Sequence, residues 1–352
     1  MKIVAAMSGG VDSTVAAALL LEKGFEVVGV TMRLWDGFGE TPPRRCCSPE
    51  DIESAVQMAC VLGIHHEIVD FREEFFKNIV QRFCDEYLQG LTPNPCVVCN
   101  EVIKSQFLLE YAKRVGAEAI ATGHYAIVKS SGEAIGLFKG VDEGKDQSYF
   151  LHRIPPLRLK HLFLPAGTFK KEEIRQIARK MNLKVASKAE SQELCFATPK
   201  GYSEVVERFG RVNIIKGLVI YKGKVLYEHN GIHNFTIGKR CGYKHGPNHR
   251  IFVKSIDPET GIVEAGERED LLSNSMVVKD VVWHIPEPEK MIECTVKIRY
   301  RSKEVKALLE PVGASKVFVK FSELQFAVTP GQAAVFYSDR MIIGGGWIDK
   351  GG

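Results

Sequence analysis

The apolar run Ile3 to Met7 ends abruptly at Ser8-Gly9-Gly10, and Asp12-Ser13 then open an Ala/Leu run that continues to Leu21. A short apolar segment, two consecutive glycines and a helix-forming run read as strand, tight turn and helix. That order commits the start of the chain to a β-α unit whose turn offers backbone N–H groups and a helix N-terminus to an anion. The Lys-Ser/Thr pair of a P-loop is missing, and so is the Gly-x-Gly-x-x-Gly spacing of a dinucleotide fold. Two glycines allow close approach of backbone to phosphate, and Ser8 and Ser13 add hydroxyls. Asp12 beside a phosphate requires Mg2+ between them. With no lysine to grip a γ-phosphate, the loop suits cleavage between the α- and β-phosphates with pyrophosphate leaving. A tight turn that binds nothing would use the same glycines.

The alternation continues to about residue 126. FEVVGVTM (25–32) and HEIVD (66–70) read as strands. SPEDIESAVQMACVLG (48–63) reads as a helix with Ser48 as N-cap, Pro49 in the first turn and Gly63 past the end. Two more helices are expected over 73–88 and 101–116, and AEAIATGHYA (117–126) is a strand running into a loop. Short apolar runs alternating with helices imply a parallel sheet with ligands beyond the carboxyl ends of its strands. The SGG loop and the TGHYA turn both lie at such ends.

After about residue 200, period-two strands separated by Gly, Pro, Asn and Asp turns replace the helices. The expected architecture is α/β: a parallel-sheet nucleotide-binding domain (1–205), a central β-rich domain (206–275) and a C-terminal one (276–352). Over 293–301 the spacing predicts a strand with Cys294, Val296, Ile298 and Tyr300 on one face and Lys297, Arg299 and Arg301 on the other.

A net charge of +4 permits a nucleic-acid partner without requiring one. Twelve Lys/Arg against five Asp/Glu in residues 139–188 read either as a solvated face or, beside a nucleotide site, as a polyanion-binding edge. No apolar stretch approaches the roughly 20 residues of a membrane span, and no signal peptide is evident, so a cytoplasmic location is expected. There the nine cysteines are reduced, metal-bound or catalytic rather than a disulfide framework. Cys60, Cys84, Cys241 and Cys294 sit on apolar patterns and are expected to be buried thiols, while Cys46 and Cys47 carry no assignment.

The segment SGGVDS resembles the PP-loop of the N-type ATP pyrophosphatases. With LTPNPCVVCN (91–100), ATGHYA (121–126), KDQSYFL (145–151), SQELCFA (191–197), FTIGKRCGY (235–243) and TPGQAAVFY (329–337), the chain resembles the tRNA-specific 2-thiouridylases over nearly its full length. The resemblance implies that ATP adenylates O2 of the wobble uridine and that sulfur then displaces AMP. It makes Cys195 the acceptor of persulfide sulfur from a carrier and Cys99 the thiol that releases it, leaving a disulfide. It places ATP at Ala6, Met7, Ser8, Gly9, Gly10, Val11, Asp12, Ser13, Met32 and Gly123. It places the tRNA anticodon arm at Asn94, Pro95, Cys96, His124, Lys145, Asp146, Gln147, Tyr300, Arg301 and Gln332. It further implies that the last domain is a β-barrel, and the protein is expected to be a monomer apart from tRNA.

From the residues, Cys99 is expected just ahead of a helix whose dipole lowers its pKa. In much of the family an Asp stands where this chain has Cys96, three residues before Cys99. The resulting Cys-x-x-Cys could join Cys195 in holding a 4Fe–4S cluster whose open iron carries sulfide, or hold zinc, or leave Cys96 as a resolving thiol. Two rival functions are a PP-loop ligase acting on a small metabolite and a non-catalytic RNA-binding module. The first leaves the cysteine motifs unused, and the second does not need an intact loop.

Overall fold

The computed structural model describes residues 1–36, 48–131, 134–188, 194–198, 201–211, 213–242, 250–313 and 315–351; Cys46 and Cys47 lie outside them. Two compact units emerge. One comprises Met1–Ile79, Cys96–Pro199 and Arg340–Ile342, and the other comprises Val80–Pro95, Lys200–Asp339 and Ile343–Gly352.

The first unit is built on β1 (Lys2–Ala6), β2 (Glu26–Arg33), β3 (His66–Asp70), β4 (Ala119–Ala121) and a two-residue strand, Leu162–Phe163. They pair in the order β3-β2-β1-β4-(162–163), all parallel. Ile3, Val4 and Ala5 of β1 are at most 2% exposed. Burial on both faces is why the strand reads as an unbroken apolar run. Helix α1 (Val11–Glu22) is buried from Ser13 to Leu20. Helix α2 (Pro49–Val61) starts as its sequence predicts, with the Ser48 hydroxyl accepting from Asp51 N at 3.1 Å. The helices expected over 73–88 and 101–116 are present, each with a π-wound stretch, Phe76–Val80 and Asn100–Phe107. A hairpin that the sequence reading missed, Ala126–Ser131 with Ala134–Lys139, follows β4.

The second unit holds a four-stranded sheet and a barrel. The sheet pairs Phe252–Ile256, Val263–Gly266, Gly217–Tyr221 and Lys224–His229 in that order, over a core of Val219, Val253 and Val263. The barrel runs Leu272–Trp283, Val317–Phe326, Val305–Pro311, Ile292–Lys297, Ala333–Ser338 and Met341–Gly351. Pairing of the first of these with the last closes it, so six antiparallel strands leave no open edge. Val278, Val296, Leu309, Val319 and Phe336 fill it, each at most 1% exposed.

Two expected domain edges cut through regular structure. The helix Ser203–Phe209 spans the 205/206 break and the strand Leu272–Trp283 spans the 275/276 break. The strand expected over 293–301 is also shorter. It stops at Lys297, because Ser302 Oγ accepts from Arg299 N at 3.2 Å and closes a turn. Cys294, Val296 and Ile298 are buried as the alternation predicts, but Tyr300 leaves that face. Cys84, Cys241 and Cys294 are buried, and desolvation pushes their thiols up to about 12, 11 and 12. Such thiols are inert at neutral pH. Cys60 does not follow the expectation: it sits on the outer face of α2 and is exposed.

Candidate nucleotide site and thiol pair

The strand order reverses between β1 and β4, where a doubly wound sheet opens a crevice beyond its carboxyl ends. After β1 the chain passes from Ala6 through Met7, whose N–H donates to Val30 O at 2.8 Å, into the glycine loop. Gly9 adopts φ +68°, and a Cβ there would lie 2.2 Å from the Asp51 carbonyl oxygen, so only glycine fits. Ser13 Oγ accepts from Ser8 N and donates to Gly10 O, both at 3.1 Å, fastening the loop to the helix. Gly10 is the N-cap of α1 and no side chain caps it. The first-turn N–H groups, from Val11 onward, therefore face the crevice without an internal acceptor.

The opposite wall is Thr122-Gly123-His124, after β4. A Cβ on Gly123 would lie 2.6 Å from Asp12 C and 2.7 Å from Ser13 N, so this turn lies directly against the first turn of α1. The His124 Nδ1–H group donates to Thr122 Oγ1 at 2.7 Å, and Nε2 faces Lys104 Nζ at 3.5 Å. An ammonium can only donate, which assigns the proton to Nδ1. Burial and the Lys104 charge hold His124 well below the usual histidine range, and it is neutral. Met32, half-buried at the end of β2, follows Thr31, whose hydroxyl donates to Met7 O at 2.8 Å and faces His66 Nε2 at 2.9 Å.

Two lysines distant in sequence converge on this loop, and the sequence reading missed both. Lys171 Nζ donates to both Asp12 carboxylate oxygens, at 2.7 and 2.8 Å, and the Tyr125 hydroxyl donates to Asp12 Oδ1 at 2.6 Å. Lys188 Nζ donates to Gly9 O at 2.8 Å and pairs with Asp51. The carboxylate that the sequence reading gives to magnesium is thus already neutralised by a lysine, and this does not fit a metal ligand with open oxygens.

The cysteine helix also differs from expectation. It begins at Pro95 and runs without a break through Asn100–Phe107 to Arg114, so Cys99 is inside it and buried, while Cys96 takes the exposed first-turn position. Proline is preorganised for the first turn, which is why the helix starts earlier than its apolar periodicity implies. Cys195 is half-buried, and Phe196 beside it is anchored between Phe75 and Trp35, with centroids at 6.0 and 6.4 Å. Among the described residues there is no disulfide, and no three Cys, His, Asp or Glu side chains come together as a metal-ligand group. With one thiol exposed and another turned into the core, Cys96, Cys99 and Cys195 do not fit an iron–sulfur cluster as they stand.

In the second unit, a cavity of about 400 Å³ is lined by Thr92, Thr236, Lys239, Arg299, Tyr300, Arg301 and Gln332, among others. Because the strand ends at Lys297, Arg299, Tyr300 and Arg301 line it together instead of alternating faces. The Arg299 guanidinium is tied to Ala327 O and Thr329 Oγ1 at 2.6 and 2.7 Å. Gln332 Nε2 donates to Thr92 O at 2.9 Å, in the loop that continues through Asn94 and Pro95 to the cysteine helix.

The family model described as tRNA methyl transferase HUP domain matches residues 1–199. The one described as tRNA methyl transferase PRC-barrel domain matches 207–267, and an aminomethyltransferase beta-barrel domain matches 273–348. The tRNA-specific 2-thiouridylase MnmA of Geobacter metallireducens is 41% identical over 99% of this chain and 96% of its own. The tRNA-specific 2-thiouridylase MnmA 1 of Caldanaerobacter subterraneus is 43% identical over 99% of this chain and 98% of its own. The chain belongs to the tRNA-specific 2-thiouridylase family. A solved 4-thiouridine synthetase–RNA complex with bound ATP aligns over 59% of this chain and 50% of its own, at 21% identity and a TM-score of 0.37, too slight a likeness to argue from.

Within this family member, part of the basic segment 139–188 is turned inward, while Lys160, Lys170, Arg179, Lys180 and Lys184 are exposed. Arg153 pairs with Glu101, Arg158 with Glu101 O, Arg175 with Ala186 O, and Lys171 and Lys188 with the glycine loop. Asp146, 8% exposed, accepts from Gly140 N, Ser148 N and Ser148 Oγ. Gln147 Oε1 accepts from Tyr125 N at 2.9 Å. Of the three residues Lys145, Asp146 and Gln147, two therefore use their side chains to shape the loop.

Proposed function

We propose that this protein converts the wobble uridine of tRNA to 2-thiouridine. Uridine O2 attacks the α-phosphate of ATP and pyrophosphate leaves. A carrier delivers persulfide sulfur to Cys195. The Cys99 thiolate attacks the Cys195 sulfur of that persulfide, forming a Cys99–Cys195 disulfide and releasing hydrosulfide. Hydrosulfide adds at C2 of the adenylated base and expels AMP, and a thiol reductant resets the disulfide. The uncapped N-terminus of α1 behind the Ser8–Ser13 loop, at the point where the strand order reverses between β1 and β4, is the observation that carries this reading, since it supports binding of the nucleotide's phosphates there. The family membership supports tRNA as the substrate, and a cytoplasmic location goes with it.

On this reading Tyr300 offers a stacking face, Arg301 with Lys239 meets phosphates, and His124, Lys145 and the Asn94–Cys96 turn meet the anticodon loop, whose bases are already unpaired. Asp146, Gln147 and Gln332 hold the loops that present them. Pyrophosphate release that requires added tRNA is the test. Release without tRNA would favour a small-metabolite ligase, and no release at all would favour a binding module. Iron and sulfide assay of anaerobically purified protein separates the persulfide route from a cluster. Arg301→Glu is expected to weaken tRNA binding and to lower the log–log salt slope by about 1. An unchanged slope in a filter-binding titration would remove Arg301 from the interface.

A further inference from the structure

Neither the glycine loop nor helix α1 contains a lysine, yet the fold brings a nearly buried ammonium to the first turn of that helix. We propose that Lys171 is the cation that meets the nucleotide's polyphosphate, held on Asp12 while the site is empty and transferred to the phosphates when they arrive. This deepens the nucleotide-binding part of the function proposed above and rests on it.

Three observations carry it. The Lys171 side chain is 11% exposed, and its Nζ reaches both oxygens of Asp12, the second residue of α1. A cation at a helix N-terminus opposes the helix dipole and is stable there only beside an anion, which here is Asp12 and with ligand would be phosphate. Tyr125, two residues after Gly123, binds the same carboxylate and lies with its ring centroid 5.7 Å from Nζ. The ammonium therefore sits where the two walls of the crevice meet. Finally, the ion pair is not needed to dock its helix. Val11 and Val15 of α1 already share an apolar cluster with Ile174 and Ala178 of the helix Lys171–Lys180.

The test is titration calorimetry of inorganic pyrophosphate with a metal chelator present, on the full chain. Wild type should bind, and Lys171→Met should bind at least about tenfold more weakly, the loss expected for one charge-assisted hydrogen bond. Asp12→Asn, which releases the ammonium, should bind at least as tightly as wild type. The double variant Asp12→Asn/Lys171→Met leaves no unpaired buried charge and so keeps the fold. It should bind as weakly as Lys171→Met. Arg179→Met, on the exposed side of the same helix, should bind like wild type. A double variant that recovers wild-type binding would reduce the pair to a structural tie and overturn the proposal. So would a wild type that binds pyrophosphate only with metal. If wild type binds through Lys171 but releases no pyrophosphate with tRNA, the lysine assignment stands and the thiolation reading fails.

Discussion

Cys195→Ser is expected to abolish 2-thiouridine formation, by on the order of 10³-fold or more, while pyrophosphate release in the presence of tRNA continues. A serine hydroxyl cannot carry persulfide sulfur, but it leaves the nucleotide crevice untouched. The substitution should also fold. Cys195 is only half-buried, and its segment is held by Phe196, 2% exposed against Trp35 and Phe75, rather than by the thiol. Nucleoside chromatography of digested tRNA, run beside a pyrophosphate assay, reads both quantities. Normal thiolation by Cys195→Ser would remove this residue from sulfur transfer. Loss of both activities would mean that the residue serves the fold or the adenylation step instead.

Gly123→Ala is expected to slow tRNA-dependent pyrophosphate release by about 10²-fold, because a misplacement of about 1 Å in a reacting site costs about that much in rate. Its Cβ would lie 2.6 Å from Asp12 C, 2.7 Å from Ser13 N and 2.9 Å from Asp12 O, all backbone atoms that no rotamer change can move aside. The TGH turn must then back away from α1, taking His124 with it and widening the crevice. Overpacking of this kind costs about 1–3 kcal/mol of stability. The melting temperature should therefore fall by a few degrees, while the rate of pyrophosphate release falls much further. A pyrophosphate-release assay at saturating ATP and tRNA would decide it, and an unaltered rate would show that the two walls yield without consequence.

What the sequence reveals here is what lies close along the chain. The Ser8–Ser13 loop, the Ser48 cap and the apolar faces of the barrel strands are each set by neighbours within one turn or one strand. Lys171 and Lys188 were not legible, because a lysine in a polar helical turn has no local mark of its partner. Their contacts with Asp12 and Asp51 span 159 and 137 residues. The basic excess over 139–188 is partly hidden in the same way, since the acceptors that Glu101 and the glycine loop supply to Arg153, Lys171 and Lys188 are invisible to a charge count. The position of Cys99 is set locally, by Pro95 in the first turn of its helix, but the apolar periodicity that marks that helix in the sequence begins only later in the chain.

The distance between Asp12 and Lys171 also orders events in time. At about 5–20 residues per second, a ribosome needs roughly 10–30 s to extend the chain from one to the other. Throughout that interval the glycine loop is made but its counter-ion is not. By the proposal above, the growing chain cannot take up nucleotide phosphate in full strength until the helix that begins at Lys171 has emerged and folded back onto α1.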